Sequence, residues 1–325
     1  MATLSEQLVK YLTDAHSIEE QAYVQMRIAP RIARDPQLGD VFRQHQAETA
    51  DHERRVRARL EAHDAAPSKV KDIVMQAGGV GFALFAMSQP DTPGKLCAHA
   101  YSYEHLELAS YELLLRVAQR AGDEETAAVA RDIREQERAM AERLATSFDR
   151  AARVSLSGKG SVDPREDVVK YLADAHAIEA QAIQLLGRAP KITDDAELQA
   201  IYREHLDETH EQQRLVEDRL RAMGGSPSKL KDAAMRLGAL NWGVFFSSHP
   251  DTPGKLAAFA YAFEHLEIGG YELLSRVAQR AGDEETSRLA ISIAAQERAA
   301  AARIAGMWDR AVDASLREVG VGAGA

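Results

Sequence analysis

Apolar side chains recur every three or four residues through four long segments in the first half of the chain, which is the spacing of amphipathic helices. The first segment, from about Leu4 to Ile28, predicts a helix that ends before Pro30. The other three predicted helices run from about Pro36 to His63, from about Gly94 to Arg120, and from the Gly122-Asp123 pair to about Asp149. The pattern therefore predicts an all-α fold.

The second half of the chain repeats the first at an offset of 160 residues. The sequence RVAQRAGDEET occupies residues 116–126 and recurs letter for letter at 276–286. A repeat of this kind indicates two copies of one domain. The predicted organisation is copy 1 at 1–150, a linker rich in Ser and Gly at 151–164, copy 2 at 165–310, and a flexible tail at 311–325.

A glutamate stands within the apolar stripe of each predicted helix, in both copies. The stripe of the third helix contains two glutamates three residues apart, which places them on one face. Acids off the stripe are often lost between the copies; Glu20, for example, becomes Ala180. His52 lies on the stripe of the second helix but becomes Gln212, so it is not included among the kept residues. The inward residues kept in both copies are Glu19, His45, Glu48, Glu104, Glu107 and Glu137, and Glu179, His205, Glu208, Glu264, Glu267 and Glu297.

These inward glutamates indicate a metal site, because a buried carboxylate is costly unless it takes up a proton, finds a basic partner or binds a cation. The stripes contain no lysine or arginine in either copy. Two divalent ions per copy would offset most of the charge. Carboxylate with imidazole suits iron or manganese, and zinc to a lesser degree. The alternative is a set of buried acids hydrogen-bonded to water, histidine or tyrosine; the hydroxyls of Tyr111 and Tyr271 are candidate donors.

Composition excludes several other classes of protein. The 325 residues include 40 Lys and Arg against 50 Asp and Glu, for a formal net charge of −10. An acidic surface repels phosphate, so we expect no binding to nucleic acid or membranes. The one cysteine, Cys97, excludes a disulfide framework and a Cys-based metal site. The longest apolar run, Val80–Met87, is too short to span a bilayer, and residues 1–10 lack a secretory signal, so we expect a cytoplasmic protein.

Four pairs of motifs resemble those of the YciF-like family in the ferritin-like superfamily. They are SIEEQ (17–21) with AIEAQ (177–181), HQAET (45–49) with HLDET (205–209), YEHLELASY (103–111) with FEHLEIGGY (263–271), and QER at 136–138 and 296–298. The resemblance covers nearly all of both copies. It implies two tandem ferritin-like four-helix bundles, each with a di-metal centre, in bacterial proteins associated with stress. Rubrerythrin and manganese catalase, which react with peroxide, belong to the same superfamily.

The ligand pattern departs from the usual di-iron arrangement, which has Glu-x-x-His on two helices. Here the second helix has the reverse order, His45 to Glu48, and the fourth has no histidine after Glu137. The oxygen-rich set favours manganese or a weak metal site over ferroxidase chemistry. We predict a protein that reacts with hydrogen peroxide or dioxygen in oxidative or general stress defence. The alternatives are a non-enzymatic helical scaffold and a metal buffer without turnover.

The resemblance also implies a long crossover between the second and third helices, at about Asp64 to Pro93. Apolar patches at Val80–Met87 and Ala239–Phe246 suggest that the two copies pack together as a pseudo-dimer within one chain. Four further histidines are kept between the copies: His16, His105, His176 and His265. We predict that His105 and His265 lie beside the metal site or at the surface, and that His16 and His176 lie on a helix face near the site, with a ligand role open for these two.

Overall fold

The computed structural model describes residues 2–68, 92–157, 163–227 and 252–321. All regular structure in these residues is helical, which confirms the all-α prediction. The chain divides into two compact units, Met1–Lys159 and Gly160–Val319. No helix in the described ranges combines the length and hydropathy that a membrane crossing requires.

The described residues of the first unit form four long helices: α1 (Leu4–Ile32), α2 (Pro36–Ala62), α3 (Thr92–Ala121) and α4 (Glu124–Ser157). Helix α1 packs against α2 and α3, and α4 packs against α3 and α2. Their apolar stripes meet in a core in which Leu12, Leu60, Leu114 and Ile133 are fully buried.

The second unit repeats this packing with small changes at the helix ends. Its described elements are α5 (Pro164–Leu186), a short 3₁₀ helix (Ala189–Lys191), α6 (Ala196–Ala222), α7 (Thr252–Arg280), α8 (Glu284–Ala305) and α9 (Trp308–Glu318). Helix α5 packs against α6 and α7, α7 packs against α8 and α9, and α6 contacts α8.

Side-chain caps explain where the helices begin. Thr3 and Glu6 form a reciprocal capping box at the start of α1. Asp35 accepts a hydrogen bond from the backbone N–H of Leu38 at 3.0 Å, with Pro36 in the first turn of α2. These caps satisfy N–H groups that would otherwise lack a partner at each helix start.

The first helix extends further than the sequence predicts. It continues through Pro30 to Ile32, whereas the prediction ends it at Ile28. Proline removes one backbone donor. The N–H of Ala33 nevertheless donates to the carbonyl of Ala29 at 2.9 Å, so the helical hydrogen-bond pattern resumes after Pro30. In copy 2 the equivalent Pro190 lies in the 3₁₀ helix instead.

The last helix of each unit also runs beyond its predicted end. Helix α4 continues to Ser157, and α9 occupies residues 308–318, where a flexible tail was predicted from 311 onwards. The buried face continues in Ala151 and Ala152 on α4 and in Val312 and Leu316 on α9, so these helices stay packed. Ser155 is buried and accepts the N–H of Gly94 at 2.8 Å, and Ser315 accepts that of Gly254 at the same distance.

Most of the predicted crossover lies in residues 69–91, outside the described ranges. The apolar patches at Val80–Met87 and Ala239–Phe246 also lie outside them. The predicted packing of the two copies as a pseudo-dimer therefore stays a prediction.

Asp123 joins two helices, and its removal should destabilise copy 1. Its carboxylate accepts the backbone N–H of Thr126 at 2.9 Å at the start of α4, and also contacts Arg59 and His63 at the end of α2. We expect Asp123→Ala to lower the free energy of unfolding by about 2 kcal/mol, as for a strong N-cap. Urea unfolding followed by circular dichroism measures this change.

The control is Asp51→Ala, because Asp51 is partly exposed and, among the bonds seen, pairs only with Arg54 on its own helix. This control should change stability by less than about 0.5 kcal/mol. An equal loss in the two variants would contradict the role given to Asp123.

Candidate metal centre

The structure brings His45, Glu104, Glu107 and Glu137 together in the core of copy 1, as the stripes predict. One ligand atom from each lies within 4.8 Å of the others, and all four side chains are fully buried. His45 Nε2 lies 3.0 Å from Glu104 Oε2 and 3.5 Å from Glu137 Oε2. We call this set the His45 group; it draws on α2, α3 and α4.

A second set in copy 1, the His52 group, consists of Glu19, His52 and Glu137. His52 Nδ1 lies 2.7 Å from Glu137 Oε1 and 3.7 Å from Glu19 Oε1. All three side chains are fully buried. Glu137 is common to both groups, and its two carboxylate oxygens face different imidazoles.

Copy 2 contains a counterpart of the first set, the His205 group, made of His205, Glu264, Glu267 and Glu297. His205 Nε2 lies 2.7 Å from Glu264 Oε2 and 3.7 Å from Glu297 Oε2. The side chains are buried as in copy 1. The two copies therefore build the same arrangement from equivalent residues.

The carboxylate oxygens of these groups are short of hydrogen bonds. Both oxygens of Glu104, Glu107 and Glu137 are buried, and none has a hydrogen-bond partner of good geometry among the described residues. The same holds for both oxygens of Glu267 and Glu297. Buried polar atoms are nearly always satisfied, so such a set of oxygens fits a cation that would take their lone pairs.

The electrostatics lead to the same interpretation. Among the described residues, no lysine or arginine forms an ion pair with Glu19, Glu104, Glu107 or Glu137. Burial raises the pKa of Glu107 well above its ordinary value, and the neighbouring glutamates raise it further. Burial likewise raises the pKa of Glu19 to about 8 and that of Glu104 to about 7. Divalent ions would relieve this repulsion, and carboxylate with imidazole suits iron or manganese.

Copies 1 and 2 differ at the fourth-helix glutamate. Burial alone would raise the pKa of Glu137, but His45 and His52 together lower it. In copy 2 burial and Glu264 raise the pKa of Glu297 well above its ordinary value. The pKa shifts of Glu137 and Glu297 differ because copy 1 has a second imidazole, His52, beside the glutamate, whereas copy 2 has Gln212 at that position.

Glu48 and Glu208 lie outside the groups, although the sequence predicts them as ligands. Glu48 is partly exposed and contacts the far nitrogen of His45, with its Oε2 3.1 Å from Nδ1. Arg143 donates to both of its oxygens. Burial alone would raise the pKa of Glu48, but the bonds from His45 and Arg143 lower it to about 2. Arg143 lies off the core stripe, which is why the stripes gave no basic partner.

The remaining predicted residues fall around this centre. The hydroxyl of Tyr111 donates to Glu19 Oε1, and that of Tyr271 donates to Glu179, as the sequence suggests. Glu179 is fully buried but belongs to no set of three possible ligands among the described residues. His105 lies outside the groups and contacts the carbonyl of Tyr101 at 2.7 Å.

Two features of copy 1 are not among the residues predicted as ligands. His52 was set aside because it becomes Gln212 in copy 2, although its place on the core stripe was the signal that could have identified it. His16, Glu20 and Glu53 form a further set of possible ligands on α1 and α2, and His16 Nε2 lies 2.8 Å from Glu53 Oε1. This set is compatible with the ligand role that the sequence leaves open for His16.

The raised pKa of Glu107 and Glu267 predicts how the metal-free protein responds to pH. A carboxyl whose pKa is raised in the folded state binds its proton more tightly there than in the unfolded state. This contribution to stability is lost as the pH rises above 4.5, the ordinary pKa of a glutamate. The metal-free protein should therefore lose stability from about pH 5 upwards. We expect Glu107→Gln with Glu267→Gln to raise its free energy of unfolding by about 2 kcal/mol at pH 8, with a smaller gain near pH 5.

Urea unfolding of the chelator-treated protein at several pH values tests this expectation. The control is Glu112→Gln with Glu272→Gln, because these glutamates pair with Arg116 and Arg276 on the same helices. The control should show no gain that grows with pH. An equal gain in the free energy of unfolding in the control variant would contradict the role given to Glu107 and Glu267.

Both halves of the chain match one protein family, over residues 3–156 and 163–317. Its description is a domain of unknown function, DUF892. No match was found among solved structures. The two matched segments correspond to the two helical repeats, and each contains its own buried His/Glu group. The chain therefore belongs to the DUF892 family and contains two tandem copies of its domain.

Proposed function

We propose that this chain is a ferritin-like protein whose two copies bind divalent iron or manganese in their buried His/Glu groups and react with hydrogen peroxide or dioxygen in stress defence. The observation that carries the proposal is the set of buried carboxylate oxygens that lack a hydrogen-bond partner of good geometry among the described residues. Five glutamates contribute both of their oxygens to this set: Glu104, Glu107, Glu137, Glu267 and Glu297.

The composition of the groups supports metal binding over simple proton uptake. Protonated carboxyls still need hydrogen-bond acceptors for their O–H groups, and full satisfaction of polar groups is what a dry core requires. A divalent ion instead accepts several oxygens at once and offsets two charges. The histidine adds a nitrogen donor, which favours a transition metal over magnesium or calcium.

The surrounding residues support a built site. Glu48 and Arg143 together fix the far nitrogen of His45, and Glu208 and Arg303 do the same for His205. A metal-bound histidine commonly makes such a bond to a carboxylate through its second nitrogen. The hydroxyl of Tyr111 holds Glu19 in place from the third helix.

The helix arrangement supports the ferritin-like assignment. In each copy a first-helix glutamate, a second-helix histidine, a pair of third-helix glutamates and a fourth-helix glutamate come from separate helices. Ligands projected inward from facing helices are typical of di-metal carboxylate bundles. The sequence motifs at residues 103–111 and 263–271 resemble that superfamily in the same places.

The proposed chemistry divides between metal and protein. When bound, the metal supplies electron exchange with peroxide or dioxygen. The protein excludes water through its buried apolar residues, holds Glu137 between two imidazoles and fixes the orientation of His45 through Glu48. These contacts keep the ligands in place without help from solvent.

Removal of one central glutamate from each copy tests the function. We expect Glu104→Gln with Glu264→Gln to lower the iron or manganese content by more than about half, because the His45 group and the His205 group each lose one of their charged oxygen donors. Peroxide or dioxygen consumption should fall by about 100-fold. Elemental analysis after anaerobic reconstitution with Fe²⁺ or Mn²⁺, followed by oxygen-electrode and peroxide assays, measures both effects.

Glu112→Gln with Glu272→Gln is the matched control, on the same helices but paired with arginine. This control should keep its metal content and its turnover. If wild type binds metal but consumes neither oxidant, the result supports a metal buffer instead. If wild type and the test variant are equally empty after reconstitution, the protein is a helical scaffold and the proposal fails.

A further inference from the structure

The two copies do not carry the same number of ligand groups. In its buried core, copy 1 contains the His45 group and the His52 group, which share Glu137. The set of His16, Glu20 and Glu53 is not counted with them, because its two glutamates are partly exposed and Arg57 donates to Glu53. Of the two core groups, copy 2 has a counterpart only for the first among its described residues, the His205 group. A tandem duplication alone would give equal sets, so the difference requires a cause in the sequence.

That cause is a single side chain within the second set. The copy 2 equivalents of Glu19 and Glu137 are Glu179 and Glu297, so both carboxylates are kept. The tyrosine that donates to the first-helix carboxylate is also kept, as Tyr271. Only the histidine changes, and Gln212 takes its place.

Gln212 fills the space of His52 but offers different chemistry. His52 directs Nδ1 to Glu137 Oε1 at 2.7 Å, while its Nε2 contacts the side-chain oxygen of Gln136 at 2.9 Å. Gln212 keeps the outer contact, since its Nε2 donates to Gln296 Oε1 at 3.1 Å. It brings a neutral amide where copy 1 has an imidazole, and imidazole is the stronger donor to a transition metal.

We propose that copy 1 holds a pair of divalent transition-metal ions, one at the His45 group and one at the His52 group, whereas copy 2 holds a single ion at the His205 group. His52 is the residue that creates the second position. The inference rests on the metal binding in the proposed function and refines it, because the sequence alone predicts two ions in each copy.

A reciprocal exchange of the two side chains tests the proposal in the full chain. Mn²⁺ is added under anaerobic conditions, and bound ion is counted by electron paramagnetic resonance of the free ion. Wild type should bind about three ions per chain, His52→Gln about two, and Gln212→His about four. The spectrum of a magnetically coupled manganese pair should be present in wild type, absent in His52→Gln and stronger in Gln212→His.

The control is His63→Gln, which removes another histidine that copy 2 lacks, since its equivalent is Met223. His63 contacts Asp123 and lies outside the ligand groups, so the count should stay at the wild-type value. Circular dichroism and thermal melting establish that each variant is folded. The gain expected in Gln212→His cannot arise from misfolding.

Equal ion counts in wild type, His52→Gln and Gln212→His would overturn this inference while metal binding itself stands. Wild type that binds no Mn²⁺ would overturn both this inference and the proposed function. Three bound ions without peroxide or dioxygen consumption would support the inference and contradict only the proposed redox reaction.

Discussion

A carboxylate that leaves water costs several kcal/mol unless a cation or a proton offsets its charge, and each copy of this domain buries four of them in its core. In copy 1 they are Glu19, Glu104, Glu107 and Glu137, all fully buried. Without a metal, the protein can keep them there only through raised pKa values and the charge on its histidines. Such a core is far from the most stable one the same helices could form, and strain of this kind is typical of functional sites.

The contacts around the carboxylates show which parts of the arrangement both copies retain. The tyrosine that donates to the first-helix glutamate is present in each, as is the arginine that fixes the glutamate behind the histidine. The caps that set the start of the fourth helix are also repeated, through Asp123 and Asp283. Because both copies retain these surrounding contacts, the exchange of His52 for Gln212 changes the set of possible ligands and leaves these contacts unchanged.

Much of this could be predicted from the sequence, because a helix period places stripe residues in the core whatever their charge. Glu104, Glu107 and Glu137 were identified in this way, and the structure brings them together. The contact between Glu48 and Arg143 could not be predicted, because Arg143 lies off the stripe and reaches Glu48 only through tertiary packing. His52 was missed because comparison of the copies retains only what they share. The fourth helix was drawn too short because its stripe ends in alanine and serine, which carry a weak hydrophobic signal.

The most direct test of the central claim is X-ray diffraction from crystals of the full chain grown with Mn²⁺, with anomalous data recorded on both sides of the manganese absorption edge. The account predicts anomalous density between the imidazole and the carboxylates of the His45 and His205 groups. It would be contradicted by cores without anomalous density in which the glutamates are bonded to one another or to ordered water.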